Sequence, residues 1–279
     1  MMADSVRPKS SELSRWLVVL CVLPPSVACV LAPNKLFLLA LSAVFGSLAW
    51  REYAVNLLGR ERAGLFVLCE AGFLATLCGA AFLGSDGQTA GLVVALALGA
   101  AYLMHNLSPA GDKVSVNLIA RYGLGQLYLT FCLSFIMLLK QLDHGANWIM
   151  LALVVTIASD TGAYYAGSKL KGPKLYPKVS PNKTVSGLLG GCLAAFIAAE
   201  LSKGYLPPLL SFWQLGGLGV FLGLWGTFGD LFESAFKRAM GLKDTSGLLK
   251  GHGGVWDRID SLLLNLPPVY FLVNWMTSP

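Results

Sequence analysis

Four acidic residues near the C-terminus fall into two pairs with one spacing: Asp230 and Glu233, then Asp257 and Asp260. Residues three apart share a helix face, so each pair would present two carboxylates side by side. Ser234 and Lys237 continue the first face, and Arg258 lies inside the second pair. Hard divalent cations take carboxylate oxygens, and Mg2+ is usually held by one or two carboxylates together with substrate phosphates. Acids for a cation beside bases for phosphate describe a metal-dependent phosphate site. Either pair alone reads equally well as ordinary helix-end charge. Two pairs so close together, both next to basic residues, favour the metal.

Other residues point to the same chemistry. Asp160 lies inside an apolar run, where a charge near a bilayer centre costs roughly 2.5–3.5 kcal/mol and calls for a partner or a polar cavity. Lys183 sits in SPNKT, with Ser180, Asn182 and Thr184 supplying hydroxyl and amide groups around its ammonium. GHGG, ending in Gly253 and Gly254, provides a turn whose backbone N–H groups can approach phosphate oxygens. His252 within it would add a donor or a proton carrier. The nearby Lys169, Lys171, Lys174 and Lys178 suit anionic headgroups as well as they suit a substrate. SPNKT lacks the GxxxxGK[ST] pattern of a nucleotide-binding P-loop, and no zinc, dinucleotide or Ser-His-Asp arrangement stands out.

The elements that must position these residues are apolar helices. The chain has 279 residues, 55% of them hydrophobic and only 13% charged, with a mean hydropathy of +0.63. About 20 helical residues cross a bilayer, and only helices or closed barrels satisfy the backbone there. Apolar runs at 14–31, 36–55, 64–83, 89–105, 124–140, 146–167, 186–202, 212–233 and 260–277 predict an all-α integral membrane protein of about nine transmembrane helices. With the N-terminus cytoplasmic and the C-terminus outside, every one of the 21 basic residues except Lys35, Lys140 and Lys203 falls on the inner side. The six cysteines all lie in apolar runs without a CxxC pair and read as small core residues. Residues 1–140 read as transmembrane scaffold without a reactive constellation. Residues 141–279 read as a catalytic region with cytoplasmic loops at 168–185 and 234–259.

From Ser234 to Asp260 the chain reads SAFKRAMGLKDTSGLLKGHGGVWDRID. This stretch resembles the signature of the phosphatidate cytidylyltransferases, the CDP-diacylglycerol synthases. The matching positions are Ser234, Lys237-Arg238, Lys243-Asp244, Ser246, His252-Gly253-Gly254, Asp257-Arg258 and Asp260. SDTGAYYAG, SPNKT and GDLFES upstream are similar to that family as well. The resemblance implies transfer of a cytidylyl group from CTP to phosphatidate, giving CDP-diacylglycerol and pyrophosphate with Mg2+, a second cation being left open. It implies Asp230 and Asp257 as metal ligands, with Asp260 and Asp160 in support. Catalytic roles go to Asp257, Asp230, Lys237, Arg258 and His252, the last orienting its turn or donating to pyrophosphate. Substrate contacts go to Ser180, Asn182, Lys183, Thr184, Arg238, Lys243, Asp244, Gly253 and Gly254. The expected partners are CTP, phosphatidate and membrane lipid, without nucleic acid and with a homodimer allowed. The expected location is a bacterial inner membrane, with the site facing the cytoplasm.

Two positions depart from the family pattern: Lys250 where Pro or Gly is usual, and Ser186 where many members carry Glu. A CTP-dependent polyprenol or other lipid kinase is the nearest rival, and the intact HGGVWDRID stretch favours the cytidylyltransferase. A transporter would need polar residues along a path to both faces, whereas here charge gathers on one side.

Overall fold

The computed structural model describes residues 12–58, 63–106, 114–239, 241–242 and 254–277. The chain folds as helices α1 (Glu12–Leu31), α2 (Lys35–Tyr53), α3 (Ala63–His105), α4 (Val114–Gly125), α5 (Cys132–Gln141), α6 (Gly145–Leu170), α7 (Val185–Ser202), α8 (Phe212–Ala239) and α9 (Trp256–Thr277). A wider π-helical turn, Ala54–Leu58, extends α2, and another, Gln126–Phe131, joins α4 to α5. Two short strands, β1 (Lys174–Tyr176) and β2 (Ser180–Thr184), pair antiparallel. This hairpin is a small exception in a chain that is otherwise helical, in keeping with the all-α expectation. Its polar, Pro-containing sequence lies between two apolar helices, where a tight hairpin satisfies backbone groups that a helix would otherwise pair.

Six helical stretches among the described residues are long and apolar enough to cross a membrane, beginning at Lys35, Gly64, Asn117, Gly145, Val185 and Phe212. The expected runs at 64–83 and 89–105 fall within one of these, Gly64–His105. Gly84 interrupts it with φ 68° and ψ −149°, a conformation open essentially to glycine alone. The chain doubles back there. A Cβ at Gly79 would strike the Gly87 backbone, one at Gly91 would lie 2.7 Å from the Thr76 Cα, and one at Gly72 would lie 2.6 Å from the Ala95 Cβ. Those pairings are those of an antiparallel helical hairpin closed by small residues. The runs at 14–31 and 260–277 form α1 and α9, which are not among the six. Pro24-Pro25 lies inside α1, and Asp257, Arg258, Asp260 and Pro267-Pro268 lie inside α9.

Backbone carbonyls left open where apolar helices end need donors, since lipid supplies none. Lys140 Nζ donates to Ala32 O at 2.8 Å and Val30 O at 2.5 Å, closing the end of α1. Lys35 Nζ reaches Ala81 O at 2.6 Å, and Gln141 Nε2 reaches Ala80 O at 2.6 Å, just ahead of the Gly84 turn. A cation at a helix C-terminus also meets the negative end of its dipole. Two of the three lysines that break the charge asymmetry of the sequence therefore have a local task at helix ends.

In the second half, α6, α7, α8 and α9 pack through small residues. A Cβ on Gly162 would lie 2.5 Å from the Ala194 Cβ, and one on Gly219 would lie 2.6 Å from Ala195 O. Gly229 faces the Asp260 carbonyl, which a Cβ would approach to 2.8 Å. Inside this packing, Asn265 Nδ2 donates to Thr156 Oγ1 at 2.8 Å, joining α9 to α6 in the core. The expected loops are shorter than the sequence suggested. Residues 168–170 continue α6, and residues 234–239 continue α8.

Gly84→Ala should lower the melting temperature of the detergent-solubilised protein, because its backbone conformation costs a side-chain-bearing residue about 1–3 kcal/mol. Gly217→Ala, in open space within α8, should be neutral or mildly stabilising. Equal melting temperatures for the two variants would show that the chain does not turn at Gly84.

Candidate functional site

Six charged residues of the second half, Lys183, Asp230, Glu233, Lys237, Asp257 and Asp260, converge where α8 ends and α9 begins. Helical spacing places Asp230 and Glu233 on one face of α8, and the close approach at Gly229 brings Asp260 of α9 against them. Among the described residues, Asp230, Glu233 and Asp260 each offer a carboxylate oxygen, all within 4.8 Å of one another. Glu233 and Asp260 are buried and Asp230 is half-buried. Three hard oxygen donors at this separation can hold a divalent cation.

Two lysines edge the acids. Lys183, at the end of β2, places its Nζ 2.7 Å from Asp230 Oδ2. Lys237 sits one turn beyond Glu233 and lies between two carboxylates, 2.5 Å from Glu233 Oε2 and 2.8 Å from Asp257 Oδ1. Its side chain is 12% exposed, that of Asp257 9%, and that of Glu233 fully buried. The second oxygen of Asp257 accepts from Gly254 N at 2.7 Å. Burial works to raise the Asp257 carboxyl, but its bonds with Glu233, Lys237 and the Gly254 N–H outweigh that and hold it well below the usual carboxylate range. Asp257 thus carries its charge at neutral pH and spends it on Lys237 and on the turn before α9. Ser234 Oγ donates to Asp230 Oδ1 at 3.3 Å.

The remaining expected residues take distinct places. Asp160 of α6 is exposed and interacts electrostatically with Asp230, Lys183 and Arg258. Thr184 caps α7, its hydroxyl accepting from Gly187 N at 3.1 Å. Ser180 pairs with Tyr176 across the hairpin, and Asn182 is exposed on β2. Arg238 donates through Nε to Val179 O at 3.1 Å and through Nη1 to Leu242 O at 3.2 Å, bracing the hairpin against the exit of α8. Arg258 is exposed on the first turn of α9. His252, Gly253, Lys243, Asp244 and Lys250 lie outside the described residues. Ser186, one of the two departures, bonds the Lys171 carbonyl and shares a 3.1 Å contact with Thr184 Oγ1, so it closes the base of the hairpin.

One residue at the site went unmarked in the sequence. Glu52, near the end of α2, accepts from Val255 N at 3.0 Å and Trp256 N at 2.9 Å. A buried acid within an apolar run is the signal that could have flagged it, the same signal that flagged Asp160.

Removing Lys237 would leave the Asp257 carboxylate buried without its cation, and leaving a buried charge unpaired costs on the order of 3–5 kcal/mol. Lys237→Met should therefore lower the melting temperature sharply, and Asp257→Asn added to it should recover part of the loss. The depressed Asp257 carboxyl stabilises the fold above its ordinary value near 4, and that contribution is lost as pH falls below it. A Lys237→Met melting temperature equal to wild type at pH 7 would show that this charge cluster is not formed.

The family model described as "Cytidylyltransferase family" matches residues 13–276. A phosphatidate cytidylyltransferase of Bacillus subtilis (strain 168) is 38% identical over 151 residues, 54% of this chain and 56% of its own. One from Staphylococcus saprophyticus is 37% identical over 155 residues, 56% of each chain. One from Staphylococcus aureus (strain COL) is 36% identical over 141 residues, 50% of this chain and 54% of its own. The chain spans about half the length of the curated relatives it matches. The family match takes in α8, α9, the hairpin and Glu52 alike, and on that extent the chain belongs to the cytidylyltransferase family.

Proposed function

We propose that the protein transfers the cytidylyl group of CTP to phosphatidate, giving CDP-diacylglycerol and pyrophosphate. The observation that carries this reading is the convergence of Asp230, Glu233 and Asp260, edged by Lys183 and Lys237, in a chain built of apolar helices. A site of acids and lysines at helix ends suits a substrate that is part lipid and part polyphosphate. The names of the relatives point the same way.

The donor set fits Mg2+: hard carboxylate oxygens from two helices, close enough to share one ion. Asp230, Glu233 and Asp260 would hold it, with Asp160 within electrostatic reach and Asp257 committed to Lys237. When bound, the ion would offset the negative charge of the triphosphate. Phosphatidate brings an ionised phosphate oxygen at neutral pH, so no strong general base is required. That oxygen forms a bond to the α-phosphorus of CTP, the α–β anhydride bond breaks, and pyrophosphate leaves with the electron pair. The protein contributes position and charge. Lys183, at the rim beside Asp230, is suited to a phosphate oxygen. His252, Lys243 and the glycines before α9 are proposed for the pyrophosphate side. The predicted nine crossings, inner N-terminus and cytoplasm-facing site belong to the same proposal, supported by the lysine distribution of the sequence.

The test uses the purified chain in micelles with phosphatidate, Mg2+ and CTP labelled at the α-phosphate. Label should move into the lipid phase with matching pyrophosphate, and Asp230→Asn or Asp260→Asn should slow it on the order of a hundredfold or more. Label remaining in water as CDP, while a lipid gains phosphate, would make the protein a kinase. CTP left intact with phosphatidate and polyprenol acceptors alike would overturn both readings.

A further inference from the structure

We infer that Glu52, in the half of the chain that reads as scaffold, is the positioning residue that sets α9 and its acids against α8. Its rate consequence rests on the function proposed above, whereas its structural half stands on geometry alone.

The first N–H groups of a helix have no partner within it, and a side chain just ahead of the helix normally accepts from them. The residues ahead of α9 are Gly254 and Val255, which carry no acceptor in their side chains. Glu52 fills that role from about two hundred residues away. Oε1 takes the Val255 N–H and Oε2 takes the Trp256 N–H, so both oxygens are used on consecutive peptides. Bonds of this kind to an ionised carboxylate are about twice as strong as neutral ones. The negative carboxylate also meets the positive end of the α9 dipole. Glu52 itself is 6% exposed, so little water competes for it.

The same junction is gripped a second time through its rings. Trp256 is fully buried, its ring 5.2 Å from that of Tyr53, with Phe236 of α8 at 6.4 Å. Glu52 and Tyr53 thus hold the peptide and the ring of one residue. The next residue is Asp257, which binds Lys237, and one turn later comes Asp260, which completes the acid triad. A shift at Trp256 would therefore move both acids relative to α8. Partners one step removed from metal ligands typically change affinity or activity by about 10–100-fold.

The experiment measures amide hydrogen exchange and cytidylyl transfer on the full chain in micelles, for wild type, Glu52→Gln and Glu52→Ala. In Glu52→Ala, exchange across 254–262 should speed up about tenfold, as loss of a helix cap implies, with α6 and α7 unchanged. Its Mg2+ concentration for half-maximal transfer should rise and its kcat fall by a similar factor, with a smaller change in KM for CTP. Glu52→Gln keeps one acceptor oxygen and should lie between. Unchanged exchange at 254–262 would overturn the inference, because the bonds would then not be holding α9. Exchange that rises equally across α6 and α7 would overturn it too, making Glu52 a residue of general stability. Faster local exchange with unaltered kcat and Mg2+ dependence would leave a helix cap without a positioning role. Wild type that transfers no cytidylyl group would sink the proposed activity alone, with the exchange still deciding whether Glu52 sets α9.

Discussion

Lys237, held between Glu233 and Asp257, is the interaction on which the site depends. A lysine and two acids with little or no exposure meet at the ends of two helices, in surroundings where an unpaired charge would cost several kcal/mol. The lysine links an acid of α8 to an acid of α9, so neutralising charge and fixing the two helices are one event. Asp257 then passes the constraint to the turn before α9 through the Gly254 N–H. What remains is a group of carboxylates, Asp230, Glu233 and Asp260, close enough to repel one another without a cation or a proton among them.

That arrangement needs helices to approach more closely than ordinary side chains permit. Gly229 admits the Asp260 carbonyl, and the Gly162 and Gly219 contacts draw α6, α7 and α8 together. In an apolar medium, where no hydrophobic force drives helices together, such close packing supplies much of the attraction. Polar side chains supply the rest at a few places, as where Asn265 reaches Thr156.

The N-terminal half does more than fill space. Its helices turn back at Gly84, and Lys35, Lys140 and Gln141 satisfy carbonyls that lipid would leave open. Trp50 donates to Thr130 at 2.9 Å and Tyr53 to Arg121 O at 2.7 Å, tying α2 to the segment through α4 and the π-helical turn. Tyr128, within that turn, lies 5.2 Å from the Phe232 ring and 6.3 Å from that of Trp256. The frame so built ends at Glu52, against the first residues of α9.

Much of this was legible in the sequence, and what was legible is local. Apolar runs marked the helices, because hydropathy over about twenty residues depends on the run itself. The i,i+3 spacing placed Asp230 and Glu233 on one face, because helical periodicity belongs to a single segment. The family signature from Ser234 to Asp260 was readable for the same reason, being one continuous stretch. Only tertiary structure decided which acids meet. Glu233 joins Asp230 and Asp260, while Asp257 turns to Lys237, since that choice depends on how α9 crosses α8 at Gly229. Tertiary structure alone also gave Arg238 to the hairpin and brought Glu52 to α9. A capping acceptor is normally sought within a few residues of its helix. Here the adjacent residues have none, and the carboxylate that replaces them becomes a neighbour only once the chain has packed.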